Sequence, residues 1–416
     1  MDKLNCLCGY DKNKNLDCKL KPCSCDKICK KDCSKDKCKG CKCNGDCIKY
    51  EDDCNICVDE DSIFFSTNCE HPDCFILGDN WQEEVFVGTV VVPCEKPSIE
   101  QIDSINADVQ IISKKVILTP FLKDATGLQN TNIEGKITTG RKLIVEGLIC
   151  LSISYVSLNI DQSVHSFHGQ IPFSSFIVLP ENTDLDQNFL VDSCIEKICV
   201  NKVCERSIDL TAAIMIKATK SVNLCAESFY KNYGVDCTCD TSNCSEHGCG
   251  IEPLIIKGVA TEDELTKVLV PGKNPRLWTE ISVPELLTIP CFKPDVKKLL
   301  SVTSSAKIVC QNVIKTPIPP QNNEGFNLTG LKLLVHLILR QRITYVSTEN
   351  CNSVHSAHYD IPISAYIILP DNDNFDIGSK FKIDAYIEDL FACAINERQV
   401  FKNTTLFIKA ESLVCD

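Results

Sequence analysis

Residues 143–155 read Leu-Ile-Val-Glu-Gly-Leu-Ile-Cys-Leu-Ser-Ile-Ser-Tyr, and this stretch decides the fold. Its odd positions run Leu, Val, Gly, Ile, Leu, Ile, Tyr, while the even register includes Lys142, Glu146, Ser152 and Ser154. A two-residue period of that kind is a β-strand with one face on a core and one toward water. Working outward, Asn159-Ile160-Asp161-Gln162 supplies a turn, and Ser163–Leu179 resumes an extended, β-branched run. Upstream, Val85–Val92 and Val109–Leu118 have the same character, and no long window shows helical three-four spacing.

The strand recurs. Shifting the chain by 190 residues lays Thr139–Pro180 on Thr329–Pro370 without a gap, with 20 identities in 42 positions. Tyr155-Val-Ser157 returns as Tyr345-Val-Ser347, and Ser163-Val-His165-Ser-x-His168 as Ser353-Val-His355-Ser-x-His358. At slightly different offsets Pro93-Cys94-x-Lys96-Pro97 matches Pro290-Cys291-x-Lys293-Pro294, Ile195-Glu196 matches Ile387-Glu388, and Arg206 falls on Arg398. Two copies at so long a period are duplicated domains, not a solenoid. The expected architecture is all-β: two tandem β-sandwich or barrel-like domains at 80–222 and 276–416. A Cys-rich irregular segment, 1–79, precedes them, and a Cys-rich linker or insertion, 223–275, separates them.

The cysteines divide the chain differently. Of thirty, fifteen fall in the first 74 residues: Cys6, Cys8, Cys18, Cys23, Cys25, Cys29, Cys33, Cys38, Cys41, Cys43, Cys47, Cys54, Cys57, Cys69 and Cys74. Between Asp11 and Lys49 there is no aromatic residue and only four large aliphatics, so this tract has no hydrophobic core to fold around. The linker adds Cys225, Cys237, Cys239, Cys244 and Cys249, and the first copy alone carries Cys194, Cys199 and Cys204. Disulfides within the chain, disulfides to neighbours and thiolate-bound metal all fit these spacings. As a metal site, zinc or copper would be held by Cys38, Cys41, Cys43 and Cys47; in the linker a zinc would draw on Cys237, Cys239, Cys244 and His247 or Cys249. A local disulfide staple is the favoured reading there, and no cofactor is expected.

The formal charge of −13 belongs to the body, since residues 1–60 carry thirteen Lys against twelve acids. An acidic body without a basic stripe excludes nucleic acid as the main partner. No run approaches the length of a membrane span, and the amino terminus has no secretory signal. Many cysteines without an export signal fit synthesis in a mother-cell cytoplasm that later lyses around a spore, exposing reduced thiols to oxidant.

With these motifs together, the chain resembles the SPOCS-domain family of anaerobic spore-formers. The resemblance rests on Ile289-Pro-Cys-x-Lys-Pro294, the Thr-Gly-x-Lys-Leu strands at 139–143 and 329–333, Tyr-Val-Ser, Ser-Val-His-Ser-x-His, Ile-Pro-x-Ser and Ile-x-Leu-Pro. It continues in Asp384-Ala-Tyr-Ile-Glu-Asp389 and Arg398-x-Val-Phe-Lys-Asn403. It covers about two-thirds of the chain and implies β modules for protein–protein assembly at the spore surface, in coat or exosporium, with other envelope proteins as partners. It supplies no enzymatic role.

The residues themselves support the same expectation. Ser163 or Ser166 beside His165 and His168, repeated at His355 and His358, suggests a nucleophile and base. Positions three apart on a strand face opposite sides, however, and no third orienting carboxylate is shared, since Gln170 stands where the second copy has Asp360. The histidines are read as structural or interface residues, and the protein as a non-enzyme that self-assembles. Unpaired edge strands would give a directional head-to-tail contact, and disulfides would then join the chains.

Overall fold

The computed structural model describes residues 63–67, 80–123, 129–221, 254–269, 275–322, 325–349, 352–371 and 375–413. Nearly all of them are β structure. In the first copy β1 (Phe64–Thr67), β2 (Trp81–Val91), β3 (Ile99–Phe121), β4 (Thr139–Ser157), β5 (Val164–Val178), β6 (Phe189–Cys204) and β7 (Ser207–Lys220) form two sheets, ordered β1-β3-β4-β5 and β2-β7-β6. In the second, β8 (Ile255–Lys257), β9 (Trp278–Thr288), β10 (Val296–Lys315), β11 (Leu331–Ser347), β12 (Val354–Ile368), β13 (Phe381–Ala394) and β14 (Gln399–Ser412) repeat this as β12-β11-β10-β8 and β13-β14-β9. Each copy is a sandwich of two sheets, and neither closes into a barrel.

The expected strands at 85–92, 109–118, 143–155 and 163–179 lie on β2, β3, β4 and β5. The expected turn is closed by Gln162 N–H on the Asn159 carbonyl at 2.9 Å. Gln162 and its counterpart Asn352 hold the left-handed φ values, 46° and 48°, that reverse the chain there. Within the region read as a Cys-rich linker, β8 pairs parallel with β10, as β1 does with β3. The same region holds a short helix, α1 (Glu262–Lys267), started by a capping box between Thr261 and Glu264.

Each core lies between its two sheets. In the first copy Leu143, Val145, Ile149, Leu151, Ile153 and Tyr155, the odd register of β4, meet residues such as Ile208, Leu210, Ile214 and Ile216 of β7. The second copy does the same with β11 and β14. Most repeated motif residues secure this frame. Tyr155 Oη donates to the Pro97 carbonyl at 2.8 Å and Tyr345 Oη to that of Pro294 at 2.9 Å. Arg206 donates to the carbonyls of Val92, Pro93 and Lys96, and Arg398 to those of Ile289, Pro290 and Lys293. Thr139 and Thr329 donate to the carbonyls of Leu179 and Leu369, which joins the Thr-Gly and Leu-Pro motifs.

Candidate functional site: the joint between the copies

The alternation of β4 leads to the most unusual contact in the chain. Its even register was expected to face water. Instead Lys142, Ile144, Glu146, Leu148 and Cys150 are buried, so the first half of β4 is covered on both sides. The cover is the second copy: the outer face of its β9-β14-β13 sheet packs on the outer face of β3-β4-β5. No strand of one copy pairs with a strand of the other among the described residues. The copies meet face to face, not through an edge.

At one end of the joint Lys142 is fully buried and bridges to Glu280 of β9 and, at 3.0 Å, to Glu388 of β13. Thr119 donates to both carboxylates, and the Lys142 ammonium also sits 4.7 Å from the Phe176 ring centroid. Glu388 is the extra residue of a β-bulge, where the register of β13 on β14 slips between Ile387 and Asp389. The bulge lets the carboxylate turn toward Lys142 out of the strand's alternation. One cation facing two carboxylates away from water leaves surplus negative charge. Burial, and then repulsion from Glu280 against the attraction of Lys142, leaves the Glu388 carboxyl pushed up to about 7.

Toward the middle, Asn403 Nδ2 of β14 donates to Glu146 Oε1 at 2.8 Å, and Ser174 meets Ser282 at 3.2 Å. Burial first, then the nearby Asp389 charge, pushes Glu146 up to about 7 as well. Lys115 bridges to Asp389 at 2.7 Å on the flank. Apolar contacts fill the rest: Leu148 and Cys150 against Phe401, and Leu122 against Trp278 and Phe407, whose rings stack at 5.2 Å. The loop before β4 crosses to the second copy, where Asn132 Nδ2 donates to the Trp278 carbonyl at 3.0 Å and Arg276 Nε to that of Thr131 at 2.7 Å.

A second buried ionic group lies inside the second sandwich. Lys402 of β14 bridges to Glu285 at 2.8 Å, and Gln341 of β11 donates to the same carboxylate oxygen at 2.8 Å. Burial pulls the Lys402 ammonium below its usual range, and Glu285 works against that shift. The first copy has Leu210, Gly88 and Leu151 at the corresponding positions.

The histidines singled out from sequence do not form a reactive pair. His165 lies opposite Tyr155 on the inner face of β5 and His168 opposite Ser152 on the outer face. His165 Nε2 lies 2.9 Å from Ser163 Oγ, and its ring stands 5.9 Å from that of Tyr155. His355 repeats this with Ser353 at 2.8 Å and Tyr345 at 6.0 Å. His358 is exposed on the outer face of β12. Cys194, Cys199 and Cys204 lie along β6. The cysteines from Cys6 to Cys74, with Cys237, Cys239, Cys244 and Cys249, lie outside the described residues, and so do the metal candidates among them. Among the described residues no three His, Cys, Asp or Glu side chains converge as a metal site would require, and no helix is long and apolar enough to cross a membrane.

Sequence reasoning did not single out Lys142, Glu146, Glu280 or Glu388. The available signal was a Lys and a Glu inside the most apolar strand of the chain, with Lys142 repeated as Lys332 and Glu388 as Glu196.

No curated protein matches the chain. Among solved structures, a crystal structure of lipopolysaccharide binding protein is aligned over 80% of this chain and 92% of its own, at 8% identity and a TM-score of 0.09. The family model described as SipL, SPOCS domain, matches residues 98–203, which run from the start of β3 through β6. The match falls on the first sandwich, where the motifs had suggested a resemblance to this family.

Proposed function

We propose that this protein is a structural component of the spore envelope, in coat or exosporium, that self-assembles through its β domains and is then cross-linked by disulfides. It catalyses no reaction in this reading. The observation that carries the reading is the joint: one β sandwich receives the face of the other through a buried contact held by Lys142, Glu280 and Glu388, so these modules are built to dock on each other. The SPOCS match supports a role in sporulation. Cross-linking draws support from Cys194, Cys199 and Cys204, which the first copy alone carries along β6. The Cys-rich segments at 1–79 and 223–275 would supply the remaining thiols, after synthesis in the mother cell, to other copies and to other envelope proteins.

The test is a denaturing gel of protein extracted from spore envelopes, run with and without reductant. Entry into the gel only after reduction is the expected result. Migration as a monomer in both lanes would place all disulfides within one chain and remove the cross-linking role. Zinc or copper found at several atoms per chain in protein isolated without chelator would replace it with metal storage.

A further inference from the structure

The joint takes one outer face of each copy and leaves the other two largely open, although Tyr366 Oη on the second copy's remaining face donates to Glu134 at 3.2 Å and Cys194 on the first copy's remaining face is buried. The outer face of β10-β11-β12 in the second copy corresponds to the face that the first copy presents to the joint. The outer face of β2-β7-β6 in the first copy corresponds to the face that receives it. Both remaining faces keep the key residues of the joint. Lys332 is the counterpart of Lys142, and it sits 4.5 Å from the ring centroid of Tyr366, the counterpart of Phe176. Among the described residues it has no carboxylate partner. Glu83 is the counterpart of Glu280, and Glu196 that of Glu388. Glu196 also occupies a β-bulge, where the register of β6 on β7 slips between Ile195 and Lys197. The two glutamates are exposed, and desolvation first and then the charge of nearby Glu83 raise the Glu196 carboxyl.

We propose that the outer face of β10-β11-β12 of one chain docks on the outer face of β2-β7-β6 of the next, with Lys332 received between Glu83 and Glu196. This rests on the self-assembly reading and gives it a surface and a direction. The pairs further along the contact agree. Cys150 meets Phe401 in the joint; their counterparts are Arg340, exposed, and Asp209, so an apolar pair becomes a pair of opposite charges. Glu146 and Asn403 become His336 and Thr211, a polar pair in both cases. The donor face carries Lys307, Lys332, Arg340 and Arg342 against Asp360, and the acceptor face carries Glu83, Asp192, Glu196 and Asp209 against Lys197 and Lys217, the latter bridged to Asp192 at 3.5 Å. The acceptor face also exposes Trp81, Val85, Val87 and Val91 at 44–71%, the apolar surface that such a contact would cover. Because the two faces differ, the contact is heterologous and propagates head to tail, into a ring or an open filament according to its rotation.

The test is sedimentation of the full chain in reductant, with circular dichroism to check that each variant is folded. Wild-type protein is expected to associate with rising concentration. Lys332→Glu alone, and Glu83→Lys with Glu196→Lys, should each raise the concentration needed for association by roughly 100-fold. The chain carrying all three substitutions should regain association, because the charges again match across the contact. If both charge-reversed variants associate as the wild type does, the surface is wrong while self-assembly stands. A triple variant that stays monomeric also overturns the proposal, since the charges then do not act across one contact. Wild-type protein that stays monomeric in reductant overturns it as well. Oxidation of that sample then decides whether disulfide-driven assembly survives without it.

Discussion

Glu146 shows how far a single residue can depart from what its place in the pattern suggests. Within the strand alternation it is an outward glutamate, yet it is sealed against Asn403 and keeps its proton to about pH 7. Between about pH 4.5 and 7 the folded chain therefore holds a proton that the unfolded chain has lost. Stability is greatest on the acid side of that window and declines as pH rises, by on the order of 3 kcal/mol for this group. Glu388 acts in the same direction. In Glu146→Gln, which keeps the acceptor for Asn403, thermal melts should lose much of this slope and gain stability at pH 8; an unchanged slope would show that Glu146 is ionised throughout. Lys142→Met should cost about 3–5 kcal/mol, because it strands two carboxylates without their cation. Adding Glu280→Gln and Glu388→Gln should recover most of that loss in denaturant titrations.

At the scale of elements, the strands were legible because period-two alternation and β-branched runs depend only on local chemistry. The turn at 159–162 was legible for the same reason. The second buried face of β4 was not, because Lys142 and Glu146 carry the sequence signature of a solvated face; their cover comes from a sheet that begins more than 100 residues away. The repeated motifs were read correctly as repeats, but their jobs needed coordinates: Arg206 and Arg398 hold a turn by its carbonyls, and His165 and His355 back a buried tyrosine. The ionic group in the second core offers a direct comparison between equivalent elements. Lys402→Leu alone should destabilise by about 3–5 kcal/mol, because Glu285 is then buried without its partner. Installing the first copy's whole set, Lys402→Leu with Glu285→Gly and Gln341→Leu, should recover at least part of that loss, as measured by chemical unfolding.

At the scale of the molecule, the four sheets stack in one order: small and large in the first copy, then small and large in the second. The copies are therefore related front to back and not by a two-fold axis. The surfaces that meet include Trp278, Phe401 and Phe407, which a separated second copy would expose. Residues 63–221 and 254–413, produced as separate chains, should bind each other on mixing, seen as one co-eluting species by size exclusion; two independent peaks would mean that the linker alone holds them together.

The chain contains two tryptophans, and the duplication has placed them at equivalent points. Trp278 is shut inside the joint at 1% exposure, stacked on a phenylalanine, while Trp81 stands at 44% on the opposite outer sheet. The molecule thus carries its own pair of optical reporters. Trp278 should emit at short wavelength whenever the joint is intact, and Trp81 at long wavelength as long as its surface is wet. A Trp278→Phe chain leaves only the second signal, so a blue shift on concentrating it would report, without any label, that the far end of the molecule has been covered.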